Sequence, residues 1–292
     1  MRRTSVVIPA YRAHRTIRRA VQSVIAQTEP IHEVIVVDDG SPDDVVGPLA
    51  GLDTRVRVIH QANAGAGAAR NKGIDAATGD WIAFLDADDE WLPDRLAAQF
   101  LALEHFPDVG LIMGRFELRP AGAAAGTVSS WADIPTDIPL GLRGDGALRF
   151  ASACWTGTVL LRREVIGEQR FRTDLRTAED RELWYRLITR TQVLAMNRVL
   201  AIQHVTSGSL STTDIDDDCA NMLKVVELHG ADLSARERRL WEVGLLRRRA
   251  AVHLADGRRG AARLAARMRL RLDPWSLEAW YIWLKTIVGT VR

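Results

Sequence analysis

Three carboxylates follow an apolar, strand-like segment of the chain. Trp81–Leu85 reads Trp-Ile-Ala-Phe-Leu, the composition of a strand buried in a sheet, and Asp86, Asp88 and Asp89 come directly after it. Carboxylates this close repel one another unless a cation lies among them, and ligands of open α/β sheets bind at the carboxyl ends of the strands. This spacing predicts a divalent-metal site. The alternative is that Asp88 or Asp89 caps a helix over residues 93–104, which accounts for one carboxylate only.

A second pair of carboxylates ends an earlier strand. Val34–Val37 is a β-branched run, and Asp38 and Asp39 follow it before a Gly-Ser-Pro turn. Alone, such a pair is typical of an ordinary strand-to-helix turn. With two acidic strand ends in one sheet, one carboxylate can contact a base or ribose while another contacts a metal-bound diphosphate.

The composition is that of an ordinary globular protein of 292 residues, 47% hydrophobic and 26% charged. The net charge of +2 gives no field that favours nucleic acid as a partner. Two cysteines, Cys154 and Cys219, are too few for a disulfide framework, so we expect a reducing, cytoplasmic compartment. The apolar run Val6–Ile8 is too short for a signal-peptide core, and no segment reaches the roughly 20 apolar residues of a spanning helix.

Strands and helices alternate through the first hundred residues, which predicts an α/β protein with a parallel sheet and right-handed crossovers. The expected strands and helices of this part are Ser5–Ile8, Val34–Val37, Val56–Ile59 and Trp81–Leu85, with helices over 14–27 and 68–77. From Val109 the pattern loosens into strands over 109–118, 127–131, 156–161 and 199–204, a loop over 133–146 and a helix over 179–189. Beyond Asp214 the chain is expected to be helical.

Several short motifs occur in a suggestive order: Val6-Val-Ile-Pro-Ala-Tyr11, Val36-Val-Asp-Asp-Gly-Ser41, Gly65-Ala-Gly-Ala-Ala-Arg-Asn71, Leu85-Asp-Ala-Asp-Asp89, Ala178-Glu179-Asp180 before a Leu-Trp helix, and His204 before a Ser-rich loop. Over about residues 4–213 this set resembles the inverting family-2 glycosyltransferases. The resemblance implies a GT-A fold, which is Rossmann-like with a mostly parallel central sheet and flanking helices, plus a C-terminal helical extension. It implies a nucleotide-sugar-binding half over 1–105, an acceptor-binding half of the same domain over 106–213, and a basic helical region over 214–292.

The resemblance also assigns roles to individual residues. Tyr11 is expected to stack on the nucleotide base, Asp39 to accept a hydrogen bond from it, and Asp180 to act as catalytic base, a role that Glu179 can share. The full set expected to bind the donor nucleotide is Pro9, Ala10, Tyr11, Asp38, Asp39, Arg70, Asp86 and Ala87. The residues expected to bind Mn²⁺ or Mg²⁺ are Asp88, Asp86 and His204, and those expected to form a wall near the sugar or acceptor are Trp155, Gly157 and Asp89.

Three of these residues have simpler alternatives. Thr177 to Asp180 fits a capping box, with Thr177 as the N-cap residue and Asp180 at the third helical position. A lone histidine such as His204 is most often an ordinary surface or core group, although one that follows a strand at a carboxylate-lined site suits a metal ligand. A buried structural position is the simpler account of Trp155.

These roles predict a metal-dependent transferase that moves a sugar from a nucleoside-diphosphate sugar, with UDP favoured, to a glycan or lipid-linked acceptor hydroxyl. Polysaccharide, cell-envelope or glycolipid assembly is the expected setting. A dication stabilises the charge that gathers on a leaving diphosphate, and a carboxylate base is typically worth about 10²–10⁴ in rate. The Gln-X-X-Arg-Trp element of processive synthases is absent, which favours the non-processive type that adds one sugar per encounter.

Other functions fit the residues less well. The segment Gly65–Arg70 nearly matches the dinucleotide fingerprint of oxidoreductases, but an arginine replaces the third glycine and the segment follows the third strand. A nucleotidyltransferase would have a Gly-rich basic loop after the first strand, where this chain has Pro9–Tyr11. A non-catalytic sugar-nucleotide or glycan-binding module would bind the donor without hydrolysing it.

The C-terminal region suggests a membrane contact. Residues 231–292 hold 14 Lys/Arg against 6 Asp/Glu, and Asp273-Pro274 is expected to start a helix. One face of that helix would present Trp280, Trp283, Leu284, Ile287, Val288 and Val291. Basic charge with interfacial Trp suits a helix lying on an anionic bilayer, which would place the protein on the inner face of the cell membrane. The alternative is a helix docked on its own domain or on a partner.

Overall fold

The computed structural model describes residues 2–131, 133–205 and 214–288. They group into two compact units. The first comprises the described residues up to 174 and from 179 to 205. The second comprises 175–178 and 214–288.

A ten-stranded sheet forms the centre of the first unit. Its strands are β1 Thr4–Ala10, β2 Glu33–Asp38, β3 Val56–His60, β4 Trp81–Phe84, β5 Glu90–Trp91, β6 Val109–Pro120, β7 Thr127–Val128, β8 Pro139–Leu140, β9 Leu160–Arg162 and β10 Gln192–Val205. The order across the sheet is β3-β2-β1-β4-β9-β6-β10-β5, with β7 beside β6 and β8 beside β10. Strands β3, β2, β1 and β4 are parallel, as are β6 and β10, while β9 runs antiparallel between β4 and β6. The carboxyl ends of β1, β2 and β4 therefore lie at one edge of the sheet.

Helices pack on this sheet through apolar faces. In α1, Ile17, Ala20, Val21 and Val24 recur at helical spacing and are fully buried in the main core. The described helices of the first unit are α1 Ile17–Ile25, α2 Ala66–Ala76, α3 Arg95–His105, α4 Gly144–Ala153, α5 Arg163–Ile166 and α6 Glu179–Ile188.

The predicted α/β fold with a mostly parallel sheet is confirmed, and the differences lie in short elements. Strand β5 comes between the carboxylates and α3, which begins at Arg95, so the alternative that Asp88 or Asp89 caps this helix is wrong. The expected loop over 133–146 contains β8 and the start of α4. Strand β10 begins at Gln192, seven residues earlier than expected, and bulges shift its register near Val199.

The second unit is helical, as predicted. Its described helices are α7 Ile215–Leu228, α8 Ala235–Ala255, α9 Arg259–Leu272 and α10 Leu277–Val288. Ser234 and Glu237 form a capping box at the start of α8. The last helix begins at Leu277 rather than at Pro274, and Ser276 Oγ accepts a hydrogen bond from the backbone N–H of Ala279 at 3.3 Å. None of the helices in the described ranges is long and apolar enough to cross a membrane.

Candidate functional site

The three carboxylates occupy a tight turn between β4 and β5. Strand β5 pairs antiparallel with β10, which closes the turn after Asp89. Asp86 and Asp88 are half-buried, and Asp89 keeps only 2% of its surface exposed. Arg19, on α1, donates a hydrogen bond to the backbone carbonyl of Asp88 and so fixes the middle of the turn. This segment, residues 85–89, is called the carboxylate turn below.

Asp89 holds the carboxylate turn to the end of β10. Its Oδ1 accepts a hydrogen bond from the backbone N–H of His204 at 2.8 Å. Burial, together with the charges of Asp86 and Asp88, raises the pKa of Asp89 well above its usual value. This side chain is buried and tied to a strand, and its expected part in a sugar wall stays a prediction.

Asp86 and Asp88 are the two carboxylates of this turn that could hold a divalent cation whose other ligands come from a bound molecule and water. Burial raises the pKa of Asp88, and the charge of Asp86 raises it further. Among residues 2–131, 133–205 and 214–288, no group of three His, Cys, Asp or Glu side chains is arranged to hold a metal. Mg²⁺ and Mn²⁺ often take only one or two carboxylates and obtain their other ligands from phosphate oxygens and water. The carboxylate turn offers that donor set.

His204 lies beside Glu90 at the end of β10. Its Nε2 is 3.4 Å from Oε2 of Glu90. Burial lowers the pKa of His204, and the charge of Arg19 lowers it further, although Glu90 opposes the shift. The imidazole is thus held in its neutral form, the form that can ligate a metal, but its nearest acidic partner is Glu90. The Ser/Thr-rich loop expected over 206–213 lies outside the described residues.

Arg70 joins the carboxylate turn to the start of α6. Its guanidinium donates to Oδ1 of Asp86 at 2.7 Å and to Oε1 of Glu179 at 3.0 Å, and it lies over the ring of Phe171. Burial alone lowers the pKa of Arg70, but the charges of Asp86 and Glu179 outweigh it and raise the pKa above its ordinary value. A cation buried between two carboxylates fixes the position of both.

Glu179 and Asp180 begin helix α6 side by side. Burial raises the pKa of Glu179 to about 7, the charge of Asp180 adds to the shift, and Arg70 opposes it. Asp180 Oδ2 accepts a hydrogen bond from the hydroxyl of Thr156 at 3.3 Å, and its Oδ1 accepts one from the backbone N–H of Arg181 at 2.7 Å. Asp180 is thus oriented by neutral donors, whereas Glu179 carries the ion pair.

The capping-box alternative for Asp180 is wrong. Helix α6 begins at Glu179, so the residue before it is Ala178, which has a φ of 63°. Within the second unit, Thr177 Oγ1 accepts a hydrogen bond from Asn221 Nδ2 at 3.1 Å. The carboxylate of Asp180 is therefore not one half of a reciprocal cap with Thr177.

Asp38 and Asp39 organise the loops at the carboxyl end of β2. Asp38 accepts hydrogen bonds from the backbone N–H of Ser41 at 3.0 Å and from His60 Nδ1 at 2.9 Å. Asp39 accepts three hydrogen bonds: from Gln61 Nε2 at 2.7 Å and from two backbone N–H groups, those of Ala64 and Gly65, at 2.8 Å each. Since α2 begins directly after Gly65 and carries Arg70, Asp39 fixes the start of the helix that links the other acidic groups.

The loop after β1 lies between the end of β2, with Asp38 and Asp39, and the end of β4, with the carboxylate turn. Ala10 pairs in register with Asp38, and the backbone N–H of Arg12 donates to Oγ of Ser41 at 3.1 Å. Tyr11 keeps 46% of its surface exposed and has the Arg12 guanidinium over its ring. Pro9 is half-buried, whereas Ala10 and Ala87 are buried. The exposed Tyr11 ring is the surface in this group on which a base can stack.

Trp155 and Gly157 have different surroundings. Trp155 is half-buried and packs against Phe116, with ring centroids 4.7 Å apart. Gly157 is buried, its carbonyl accepts a hydrogen bond from the indole of Trp91 at 3.0 Å, and a Cβ there would lie 2.5 Å from the ring of Trp155. Gly157 therefore supports the ring of Trp155, and its expected part in the sugar wall stays a prediction. Trp155 retains partial exposure.

Two residues of the site, Arg19 and Thr156, are not predicted by the sequence. Arg19 lies eight residues after Tyr11 and approaches the carboxylate turn because α1 packs against β5. Thr156 reaches Asp180 from a short 3₁₀ turn that precedes β9. Neither belongs to a recognisable motif. Arg18 and Arg19 are adjacent in α1, and nothing in the sequence indicates which of them approaches the carboxylates.

The sheet order brings an acidic edge and a buried arginine together in an α/β protein. A family model described as "Glycosyl transferase family 2" matches residues 5–167, more than half of the chain. A Bacillus subtilis relative, TuaG, is 32% identical over 214 residues, which cover 71% of this chain and 81% of TuaG. The chain belongs to glycosyltransferase family 2.

Other relatives match more partially. The uncharacterized glycosyltransferase YibD of Escherichia coli is 38% identical over 56% of this chain, and the succinoglycan biosynthesis protein ExoW of Rhizobium meliloti is 44% identical over 36%. These matches span 49% and 35% of the relatives' own lengths. The crystal structure of S. aureus TarS residues 1–349 in complex with UDP-GlcNAc aligns with 97% of this chain and 79% of its own, with a TM-score of 0.67 and 19% identity. The predicted GT-A fold is confirmed.

Proposed function

We propose that this protein is a metal-dependent, inverting glycosyltransferase that moves one sugar at a time from a nucleoside-diphosphate sugar to an acceptor hydroxyl. The observation that carries the proposal is the linkage of acidic groups through Arg70. Asp39 fixes the start of α2, α2 carries Arg70, and Arg70 joins Asp86 to Glu179, the neighbour of Asp180. The proposed donor-binding edge is thus joined by hydrogen bonds to Glu179, which precedes the proposed base Asp180 in the chain.

The donor nucleotide is proposed to lie across the carboxyl ends of β1, β2 and β4, with its base on Tyr11. A carboxylate has about four lone-pair sites, so Asp39 can accept a hydrogen bond from a base in addition to its three backbone and side-chain donors. A UDP-sugar is favoured because structures of TarS, which has the same fold, contain UDP and UDP-GlcNAc. Residues 1–105 form the donor half in this proposal, and 106–213 the acceptor half.

Asp86 and Asp88 would hold Mn²⁺ or Mg²⁺ together with the diphosphate oxygens. Such an ion, when bound, stabilises the negative charge that develops on the leaving diphosphate. Arg70 keeps Asp86 in place from the protein side, and Arg19 holds the backbone of Asp88. The preformed turn spares the reorganisation that a flexible acidic loop would need.

Asp180 is the proposed base. It would remove the proton of the acceptor hydroxyl while that oxygen attacks the anomeric carbon, the bond between sugar and diphosphate breaks, and the configuration inverts. The Thr156 hydroxyl orients its carboxylate. Glu179, with a pKa of about 7 and an ion pair to Arg70, is proposed to position the helix start and not to take the proton.

The acceptor is proposed to be a glycan or lipid-linked sugar of polysaccharide or cell-envelope assembly. The printed names of relatives support this setting, since ExoW belongs to succinoglycan biosynthesis and TuaG is named for teichuronic acid biosynthesis. Half-buried Trp155 is the proposed apolar wall for a sugar ring. Both cysteines, Cys154 and Cys219, are unpaired and buried, which supports a reducing compartment and hence the cytoplasm.

Asp180→Asn tests the base directly. The substitution keeps the size of the side chain and an acceptor oxygen for Thr156, so donor binding should stay within about twofold while transfer falls by roughly 10²–10⁴. The assay measures UDP affinity by calorimetry and UDP release in excess donor. Asp80→Asn is the matched control, because Asp80 is an exposed carboxylate paired with Arg3.

Two outcomes of this experiment would contradict the proposal. Undiminished transfer by Asp180→Asn would remove Asp180 as the base. Tight donor binding without any release of UDP by the unsubstituted protein, with a range of acceptors, would favour a non-catalytic binding module.

A further inference from the structure

One face of α10 is apolar and exposed. Leu277, Trp280, Tyr281, Leu284 and Ile287 recur at helical spacing, and each is exposed, with Leu277 at 84%. A contiguous apolar patch on the surface of a soluble protein often marks a site of interaction. We call these five side chains the outer face of α10.

The opposite face of α10 is already used. Ile282 is buried with Ala250, Ala265 and Ala266, and Trp283 packs against this cluster. Trp283 is half-buried, and its ring also packs edge-on against that of Trp280 with centroids 5.5 Å apart, which agrees with their expected place on one face. The inner face of α10 packs on the rest of the second unit, and the outer face is exposed.

The turn before α10 extends the apolar surface. Trp275 keeps 90% of its surface exposed. The indole N–H of Trp280 donates to the carbonyl of Pro274 at 2.9 Å, so this ring can enter an apolar medium without an unpaired donor. Trp and Tyr side chains are enriched at the boundary between lipid and water for this combination of an apolar ring and a polar group.

Exposed arginines lie on α9, the helix on which α10 packs. Helix α9 exposes Arg263, Arg267 and Arg271. Arg271 also lines an open cleft of about 400 Å³, with Ala235, Arg238, Arg239, Glu242 and Leu272. Residues 231–292 have eight more basic than acidic side chains, counted as 14 Lys/Arg minus 6 Asp/Glu. The acidic residue of α10, Glu278, pairs with Arg247 and Arg269.

Size and charge decide which occupant fits. A helix of 12 residues is about 18 Å long, and a face about 10 Å wide covers roughly 200 Å². A stable dimer buries about 800 Å² on each partner, and a second copy would bring another basic surface against this one. An anionic bilayer can bury the apolar side chains among its acyl chains and pair the arginines with its lipid phosphates.

We propose that the outer face of α10, with Trp275 and the exposed arginines of α9, docks on an anionic lipid surface. The helix lies in the plane of the membrane boundary, its inner face remains packed on α8 and α9, and the arginines contact lipid phosphates. This surface goes beyond glycosyl transfer and does not depend on it, since vesicle binding is measured without donor or acceptor.

The test is co-sedimentation of the full chain with vesicles of 30% phosphatidylglycerol in phosphatidylcholine, compared with pure phosphatidylcholine. We expect binding to the anionic vesicles only. Trp275→Ser and Leu284→Gln should each weaken that binding roughly tenfold, and Arg267→Gln roughly fivefold. High salt should mimic the arginine substitution, because it screens exposed charge.

Matched controls separate docking from general effects. Leu101→Gln replaces an equally exposed leucine of α3, and Arg190→Gln an exposed arginine of the first unit, and both should bind vesicles as the unsubstituted chain does. Thermal unfolding of all variants checks that they fold. Absence of binding to anionic vesicles, or equal binding by Leu284→Gln, would overturn the proposal. A dimer in analytical ultracentrifugation that Leu284→Gln dissociates would assign the face to a second copy instead.

Discussion

Replacing Glu179 by Gln tests the electrostatics of the site without touching the proposed base. Burial and the charge of Asp180 raise the pKa of Glu179 from 4.5 to about 7, with Arg70 opposing the shift. Between these pH values the folded protein holds a proton that the unfolded chain has released, so the free energy of unfolding falls as the pH rises through this window. A shift of about 2.5 pKa units corresponds to about 3 kcal/mol.

Urea unfolding at pH 5, 6, 7 and 8 measures this effect. Gln has no proton to lose, so the stability of Glu179→Gln relative to the unsubstituted protein should rise by about 2.5 kcal/mol between pH 5 and pH 8. The change should be complete within about one pH unit above 7. Donor binding should persist, because the Gln side-chain oxygen can still accept a hydrogen bond from Arg70.

Glu33→Gln is the control with the opposite shift. Burial raises the pKa of Glu33, but hydrogen bonds from Ser5, Thr78 and Arg57 outweigh burial and lower this pKa to about 2. The Glu33 carboxylate stabilises the fold above pH 4.5, and this contribution is lost only as the pH falls toward 2. The stability difference between Glu33→Gln and the unsubstituted protein should therefore stay constant from pH 5 to pH 8. Parallel pH dependences for Glu179→Gln and the unsubstituted protein would refute the argument that Glu179 is forced toward its neutral form.

Two further substitutions probe the scaffold of the site. Arg70→Met leaves the buried Glu179 and the half-buried Asp86 without their shared cation and should cost about 3–5 kcal/mol at pH 8 in urea unfolding. Arg3→Met, which breaks an exposed pair, should have little effect in the same experiment, and equal losses would contradict the bridging role. Gly40→Ala should destabilise the protein by roughly 1–3 kcal/mol more than Gly122→Ala, because both have positive φ but only at Gly40 would a Cβ meet a backbone nitrogen, that of Asn63, at 2.8 Å. Similar melting temperatures for the two glycine variants would show that no such clash exists.

The motifs at strand ends were readable because they are local. A β-branched run followed by carboxylates predicts a strand end, and parallel strands bring such ends to one edge. That reasoning placed Asp38, Asp39, Asp86 and Asp88 on the correct edge of the sheet. It also predicted the α/β fold and the helical region after Asp214.

The partners of these residues were not readable, because they come from distant parts of the chain. Asp89 lies 115 residues from His204, whose backbone N–H it accepts, and Gly157 lies 66 residues from Trp91. No sequence spacing predicts such contacts. A buried residue that holds two segments together therefore cannot be distinguished in the sequence from a residue that faces a ligand. Helix α10 shows a second limit, since a helix with apolar side chains on two sides does not reveal in its sequence which side packs inward.

The central claim is that the carboxylate turn holds a divalent ion against the diphosphate of the donor. Calorimetry of UDP binding with and without Mn²⁺ tests it, with Asp88→Ala and the exposed control Asp80→Ala measured beside the unsubstituted protein. Mn²⁺ should strengthen UDP binding by roughly tenfold or more, about 1.4 kcal/mol, in the unsubstituted and Asp80→Ala proteins but not in Asp88→Ala. UDP affinity that is equal with and without the ion, or full Mn²⁺ enhancement in Asp88→Ala, would contradict the account.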